Sequence, residues 1–186
     1  MNITIRQATI DDANIIAHAV AMAIGEEPVV DYCGNNYIDV LTEIAQYEDS
    51  QYSYLNALVA EVDGKRAGAI VGYDGALLEH LRKRTFSIIR KYNPEVEVCE
   101  NETGTGEFYM DSLGILPEYR GLGIGRKLMI ALREKAFNDG HDCVGLMVDF
   151  LNPNAERLYL SIGFERVEKR VFFGHDMWHL QAKKMQ

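Results

Sequence analysis

No apolar run in this chain approaches the roughly 18 residues needed to cross a bilayer. Its first residues, Met1-Asn2-Ile3-Thr4-Ile5-Arg6, lack the basic, greasy and small-residue zones of an export leader. Those absences point to a soluble, cytoplasmic protein with no membrane partner. Cysteine is scarce: Cys33, Cys99 and Cys143 are odd in number, widely spaced, and form no C-x-x-C pair of the zinc or thioredoxin kind. They read as reduced structural thiols. Basic residues number 19 against 28 acidic ones, a net charge of -9. No basic stripe interleaved with aromatics offsets it, which argues against nucleic acid as a partner. The acidic surface is sufficiently explained as a solubility device. Internal repeats and low-complexity tracts are also missing.

What is present is 186 residues with 47% hydrophobic content, enough for one continuous core. A single domain over residues 1–186 is expected. Ile3 and Ile5 alternate with polar neighbours as in a strand, and Thr9-Ile10-Asp11-Asp12 then offers an N-cap with an acidic first turn. Apolar residues at helical spacing run from Ala13 to Ile24, and Gly25-Glu26-Glu27-Pro28 breaks the pattern before a second helix predicted over Tyr37 to Tyr47. Asn56 to Val62 and Arg66 to Gly72, joined through Asp63-Gly64, predict a hairpin, because Asp-Gly readily takes the positive φ angles of a tight primed turn. Gly75 to Tyr92 turns helical and Asn93 to Gly106 is polar and turn-rich, so residues 75–106 read as a helical excursion on the same domain. Strands are predicted at Glu107 to Ile115 and Asp142 to Val148, around a helix from Leu122 to Asn138. A short helix between Pro153 and Gly163 and two further strands, Phe164 to Phe173 and Met177 to Lys183, complete a mixed sheet covered by helices.

The informative segment is Leu113-Gly114-Ile115-Leu116-Pro117-Glu118-Tyr119-Arg120-Gly121-Leu122-Gly123-Ile124-Gly125-Arg126, which joins a strand to an amphipathic helix. Glycines at alternate positions remove Cβ atoms that would block a ligand, so several N–H groups can converge on one anion at the positive end of the helix. Arg120, Arg126, Lys127, Arg133 and Lys135 outnumber Glu118 and Glu134 here, a local reversal of the acidic balance that suits a diphosphate. The spacing is neither that of the magnesium-dependent phosphate loop, G-x-x-x-x-G-K-[ST], nor the G-x-G-x-x-G of dinucleotide binders. A glycine turn that merely packs a helix on a sheet is the competing reading of this loop alone.

Downstream stands Asn152-Pro153-Asn154-Ala155-Glu156-Arg157-Leu158-Tyr159-Leu160-Ser161-Ile162-Gly163-Phe164. With the R-x-x-G-x-G loop, it makes the chain resemble the GNAT superfamily of N-acetyltransferases. The family pattern is the fourth strand, the R/Q-x-x-G-x-G/A loop and its helix, the fifth strand, then N-x-x-A-x-x-L-Y-x-x-x-G-F. The sequence matches at Arg120, Gly123, Gly125, Asn152, Ala155, Leu158, Tyr159, Gly163 and Phe164. The close match runs from Phe108 to Phe164, and the stretch before the fourth strand is longer than the family's. The resemblance implies an α/β GNAT fold, that of acyl-CoA N-acyltransferases, with a mixed, V-shaped central sheet flanked by helices. It also implies acetyl-CoA as co-substrate and direct ternary-complex transfer to a primary amine, either a small molecule or a protein N-terminus or lysine. It implies that Leu113, Gly114 and Ile115 hold the pantetheine arm like an added strand, that Arg120, Gly121, Leu122, Gly123, Ile124, Gly125 and Arg126 hold the pyrophosphate, and that Asn152 and Ala155 also face the cofactor. A non-catalytic acyl-CoA binding or sensing domain is the alternative.

Tyr159 matches the family tyrosine that protonates the departing sulfur, a role suited to a phenol that stays protonated near neutral pH; a core tyrosine is the plainer reading. Asn152 could equally serve as a helix N-cap. Strand parity puts Glu107, Tyr109, Asp111, Leu113 and Ile115 on one face, and Asp111 is the first candidate for general base or substrate ligand. Glu26 and Glu27, in the break between helices, are candidates to bind an ammonium group. His175-Asp176-Met177-Trp178-His179 lacks the spacing of a metal site or triad, so no metal is expected. In a strand His175 and His179 share one face, and Trp178 on the other is a core residue or the contact of a homodimer.

Overall fold

The computed structural model describes residues 1–98, 100–172 and 174–185. Cys99 and the predicted strand end at Phe173 lie outside the described residues. The elements run β1 (Ile3–Gln7), α1 (Ala13–Ile24), α2 (Glu26–Cys33), α3 (Tyr37–Ala45), β2 (Ala57–Val62), β3 (Lys65–Asp74), α4 (Leu78–Tyr92), β4 (Phe108–Ile115), α5 (Ile124–Asn138), β5 (Cys143–Asp149), α6 (Pro153–Ser161), β6 (Glu165–Phe172) and β7 (His175–Lys183). They build one seven-stranded sheet in the order β1-β2-β3-β4-β5-β7-β6. Every neighbouring pair is antiparallel except β4 and β5.

The sheet separates two apolar cores. On one side Ile16, Val20, Leu41, Ile44, Leu78 and Ile88, from α1, α3 and α4, pack on Val59, Val71 and Tyr109. On the other, Leu128 and Leu132 of α5 pack on Met110, Val144, Leu146 and Leu180, and Leu158 and Tyr159 of α6 lie against the same core. The β2–β3 hairpin turns at Asp63 and Gly64 with φ 48° and 79°, the left-handed pair the Asp-Gly step predicts.

One expectation is corrected. The segment read as a break holds a helix, α2, which starts after Gly25 and carries Pro28 in its first turn, where a missing N–H leaves no intrahelical bond unmade. The helical part of the 75–106 segment packs on the domain. Leu78, Leu81, Ile88 and Ile89 of α4 are buried in the core that α1 shares, so this segment completes a helical layer.

Candidate active site

β4 and β5 are paired only at Phe108 with Val144 and Tyr109 with Gly145. Past that point β5 bonds to β7 on its other side while β4 stays with β3, and the two parallel strands part company. The edge of β4 that faces the opening therefore makes no ladder with β5 from Met110 onward. A cavity of about 50 Å³ sits in the fork, lined by Asp111, Ser112 and Leu113 of β4, Leu146 and Met147 of β5, and Tyr159 of α6. Gly114 lets α1 lie close on the back of β4, since a Cβ there would stand 2.4 Å from the Ala19 Cα.

Beyond β4 the chain turns through Pro117–Tyr119 into the glycine loop and α5. Gly121 and Gly123 have φ of 78° and 73°, and an added Cβ at either would meet no atom within 4 Å. Their conformation, not crowding within the protein, demands glycine, and the space in front of them is open. Among the described residues, the amides from Gly121 to Arg126 donate to no carbonyl, while Lys127 N–H closes the first helical bond on the Gly123 carbonyl. These are the orphan donors of a helix start carrying its positive partial charge, so the residues present fit a diphosphate. The helix begins at Ile124, with Gly123 as its cap, two residues later than the pattern predicts.

Arg120 folds its Nε onto the Ile115 carbonyl at 3.1 Å, pinning the loop to the end of β4, while its guanidinium stays exposed. Arg126 donates to the Ser161 hydroxyl at 2.8 Å and ties α5 to α6. Asn152 does cap α6, its side chain accepting from the Ala155 N–H at 3.2 Å. Tyr159, one helical turn farther on, packs its ring 6.4 Å from that of Phe164, and burial raises its phenol above the ordinary value. It remains a proton donor at neutral pH.

The parity reading of β4 does not hold along its length. Val71 pairs with Ser112 and Gly72 with Met110, so Asp111 is an extra residue with no cross-strand partner, a β-bulge. The bulge reverses the alternation. Tyr109 lies in the core under α1, whereas Leu113 and Ile115 pack toward α5. Asp111 itself, at the bulge, reaches a polar cluster that local spacing did not reveal. The Tyr73 hydroxyl stands 2.7 Å from Asp111 Oδ2 and 3.0 Å from Glu102 Oε1. Ser112 donates to Asp111 Oδ1 at 2.6 Å, and Gln51 Nε2 donates to the Tyr73 oxygen at 3.2 Å. Arg82 of α4 is ion-paired with Glu102 in a buried contact.

Burial pushes the Asp111 carboxyl up, against the pull of Ser112, Tyr73 and Arg82. Burial, and then the charge of Asp111, push Glu102 up to about 7, against the pull of Arg82. Two neighbouring carboxyls, both with raised proton affinity, thus compete for protons. The remaining candidates lie apart. Glu26 and Glu27 are exposed on the first turn of α2 and are not among the residues that line the fork. His175 pairs with Asp149 at 2.8 Å and buried His179 with Glu107 at 2.8 Å. Glu107 also accepts from Thr103 and Gln181, bonds that hold it below the usual range although burial pushes the other way. Among the described residues no cluster of three metal-ligating side chains occurs. Trp178 stacks on Phe150 at 5.0 Å, under the cations of Arg166 and Lys169.

A forked parallel pair, an open glycine loop at a helix start and a tyrosine across the fork leave room for a diphosphate-bearing, elongated ligand. Residues 23–164 match the acetyltransferase (GNAT) family, and the chain belongs to that family. Over 97% of its length it superposes with TM-score 0.84 and 34% identity on a solved acetyltransferase, of which it covers 98%. An N-acetyltransferase of Staphylococcus aureus matches with TM-score 0.81 and 27% identity over 96% of this chain and 100% of that one. A mycothiol acetyltransferase of Thermobispora bispora is 46% identical over 61 residues, 33% of this chain. The match spans about a fifth of the length of the mycothiol acetyltransferases found.

Proposed function

We propose that the protein transfers an acetyl group from acetyl-CoA directly to a primary amine, with both substrates bound at once. The observation that carries this reading is the placement of Asp111 and Tyr159 on the walls of one fork, ahead of amides 121–126 that face no internal acceptor. The loop amides bind the diphosphate and the free edge of β4 binds the amide-bearing arm as a strand would be bound. Acetyl-CoA, when bound, supplies a thioester carbonyl for attack. Asp111 takes one proton from the acceptor ammonium, the neutral nitrogen forms the new C–N bond as the C–S bond breaks, and the second proton that this nitrogen then sheds restores the tyrosine that has protonated the sulfur. Tyr159 gives its proton to the departing sulfur, and its raised affinity for that proton keeps it loaded beforehand. None of these steps needs an acyl-enzyme. The acceptor belongs to the amine class, a small molecule or a protein amine.

Thiol release from acetyl-CoA is measured against a panel of amines with wild type, Tyr159→Phe and Asp111→Asn. Transfer to at least one amine that both substitutions depress supports the reading. CoA binding without thiol release from any amine favours a sensing domain instead. CoA at 100 times its Kd is expected to add about 2.7 kcal/mol of stability. No thermal shift at millimolar CoA removes the cofactor assignment.

A further inference from the structure

We propose that Asp111 and Glu102 act as one carboxyl pair bridged by the Tyr73 hydroxyl, with Glu102, held by Arg82, as the positioning residue that sets the proton affinity of Asp111. The proposal rests on the reading of Asp111 as the group that takes the acceptor's proton. The Tyr73 oxygen lies within hydrogen-bond reach of both carboxyls, at 2.7 Å from Asp111 and 3.0 Å from Glu102, but a phenol has one proton to donate. When both carboxyls are ionised, one contact is therefore unmade. When Asp111 is protonated, its own O–H donates to the Tyr73 oxygen, the Tyr73 proton turns to Glu102, and both contacts are made. The hydroxyl is a rotor that serves each state in turn.

The surroundings decide which carboxyl keeps the charge. The buried guanidinium of Arg82 contacts Glu102 Oε2, the oxygen turned away from Tyr73, and Arg82 also donates to the Asn101 side chain at 2.8 Å and the Glu100 carbonyl at 2.9 Å. Arg170 of β6 donates to the Glu102 carbonyl at 3.2 Å, which holds the same loop against the sheet. Arg82 favours the ionised form of Glu102, while burial and the charge of Asp111 push it up to about 7, so the two carboxyls share a proton and the charge of each opposes ionisation of the other. Burial of both groups works in the same direction. The other groups that face the pair are Tyr109 on β4, buried beneath it, and Gln51, which donates to both Tyr73 and Glu102. Glu107, one strand start away, is already occupied by His179, Thr103 and Gln181. From α1, packed on β4, Ala19 and Met22 come against Gly114. The helix and loop of residues 75–106 thus supply the two groups, Arg82 and Glu102, that tune the base on β4.

The test is the acid limb of the kcat/KM pH profile, read on three single variants whose folding and CoA affinity are checked alongside. Glu102→Gln removes the counter-charge and leaves Arg82 unneutralised, so the limb is expected to move to lower pH by about one unit. Tyr73→Phe, with loss of a single oxygen, takes two contacts from the singly protonated pair and one from the fully ionised pair, so the limb is expected to move to lower pH as well. A shifted limb with folding and CoA affinity unchanged is not what general damage to packing produces. Asp111→Asn is expected to abolish the limb. If Asp111→Asn removes the limb and the other two leave it in place, the pairing is overturned and the base assignment survives. If Asp111→Asn keeps the wild-type limb, the base assignment itself fails. In that case, or if Glu102→Gln does not fold, carboxyl-carbon NMR titration of wild type and Tyr73→Phe decides the pairing. Two coupled titrations in wild type that change in the variant uphold it, and independent titrations refute it.

Discussion

The Tyr159 hydroxyl makes no hydrogen bond among the described residues, yet its ring is fixed between the α5-side core and the wall of the fork. A phenol held for packing alone would lose little when its oxygen is removed. If it serves as the acid for the sulfur, Tyr159→Phe is expected to lower kcat by about 100-fold with a much smaller change in KM. Steady-state kinetics check this; equal loss in kcat and in CoA affinity would mean a binding role. Gly123 poses a different problem, since its φ of 73° costs a residue with a Cβ about 1–2 kcal/mol. The added methyl of Gly123→Ala also points into the open space in front of the loop. CoA binding by calorimetry is expected to weaken at least tenfold, while secondary structure is kept. Unchanged affinity would mean that the amides 121–126 bind nothing, and the placement of the donor would be lost with them.

At the level of elements, the sequence was most readable where a local rule sufficed. Asp63-Gly64 specifies its own turn, Asn152 caps its own helix, and the alternate glycines announce a loop in which two residues take positive φ. The helix α2 was hidden because Gly25 and Pro28 both read as breakers, although a proline in a first turn breaks nothing. The bulge at Asp111 was hidden for a stronger reason. Period-2 counting assumes an unbroken ladder, and only the register against β3 reveals that one residue is extra. With it went the polar cluster, since Tyr73 is 38 residues from Asp111 and Glu102 is 29 residues from Tyr73. No local motif encodes such contacts. The packing of α1 on β4 is a further long-range fact with a measurable consequence. Gly114→Ala forces a methyl to within 2.4 Å of the Ala19 backbone, so the helix must move or the strand must bend. A loss of about 1–3 kcal/mol is expected in urea unfolding. A loss below a few tenths would show that α1 yields freely and does not brace the fork.

Across the whole molecule, the buried carboxyls oppose one another in how they shape stability against pH. Asp12 is fully buried between Arg6 and Arg66, and although burial works the other way, its hydrogen bonds hold it well below the usual range. Such a group stabilises the fold above its unfolded value of about 3.9 and loses that contribution only as the pH falls below it. The Asp111–Glu102 pair has the reverse sign. Its folded proton affinity is raised, so between about pH 4.3, where an unfolded glutamate ionises, and about 7 the folded state binds more protons than the unfolded one. Stability must then fall as the pH rises through that window, by about 1–3 kcal/mol, or roughly 2–4 °C in melting temperature for each kcal/mol. The two windows do not overlap, so the slope between about pH 5 and 7 reports the pair and not Asp12. Glu102→Gln costs stability at every pH because Arg82 loses its buried partner. The informative quantity is therefore the difference in slope between wild type and variant, not the level. Calorimetric melting in the absence of CoA is expected to give a wild-type slope that is steeper by most of that 1–3 kcal/mol, histidine titrations being common to both proteins. Parallel curves would mean that both carboxyls are ionised across the range, and a site tuned by burial and mutual charge would have no thermodynamic trace in the folded protein.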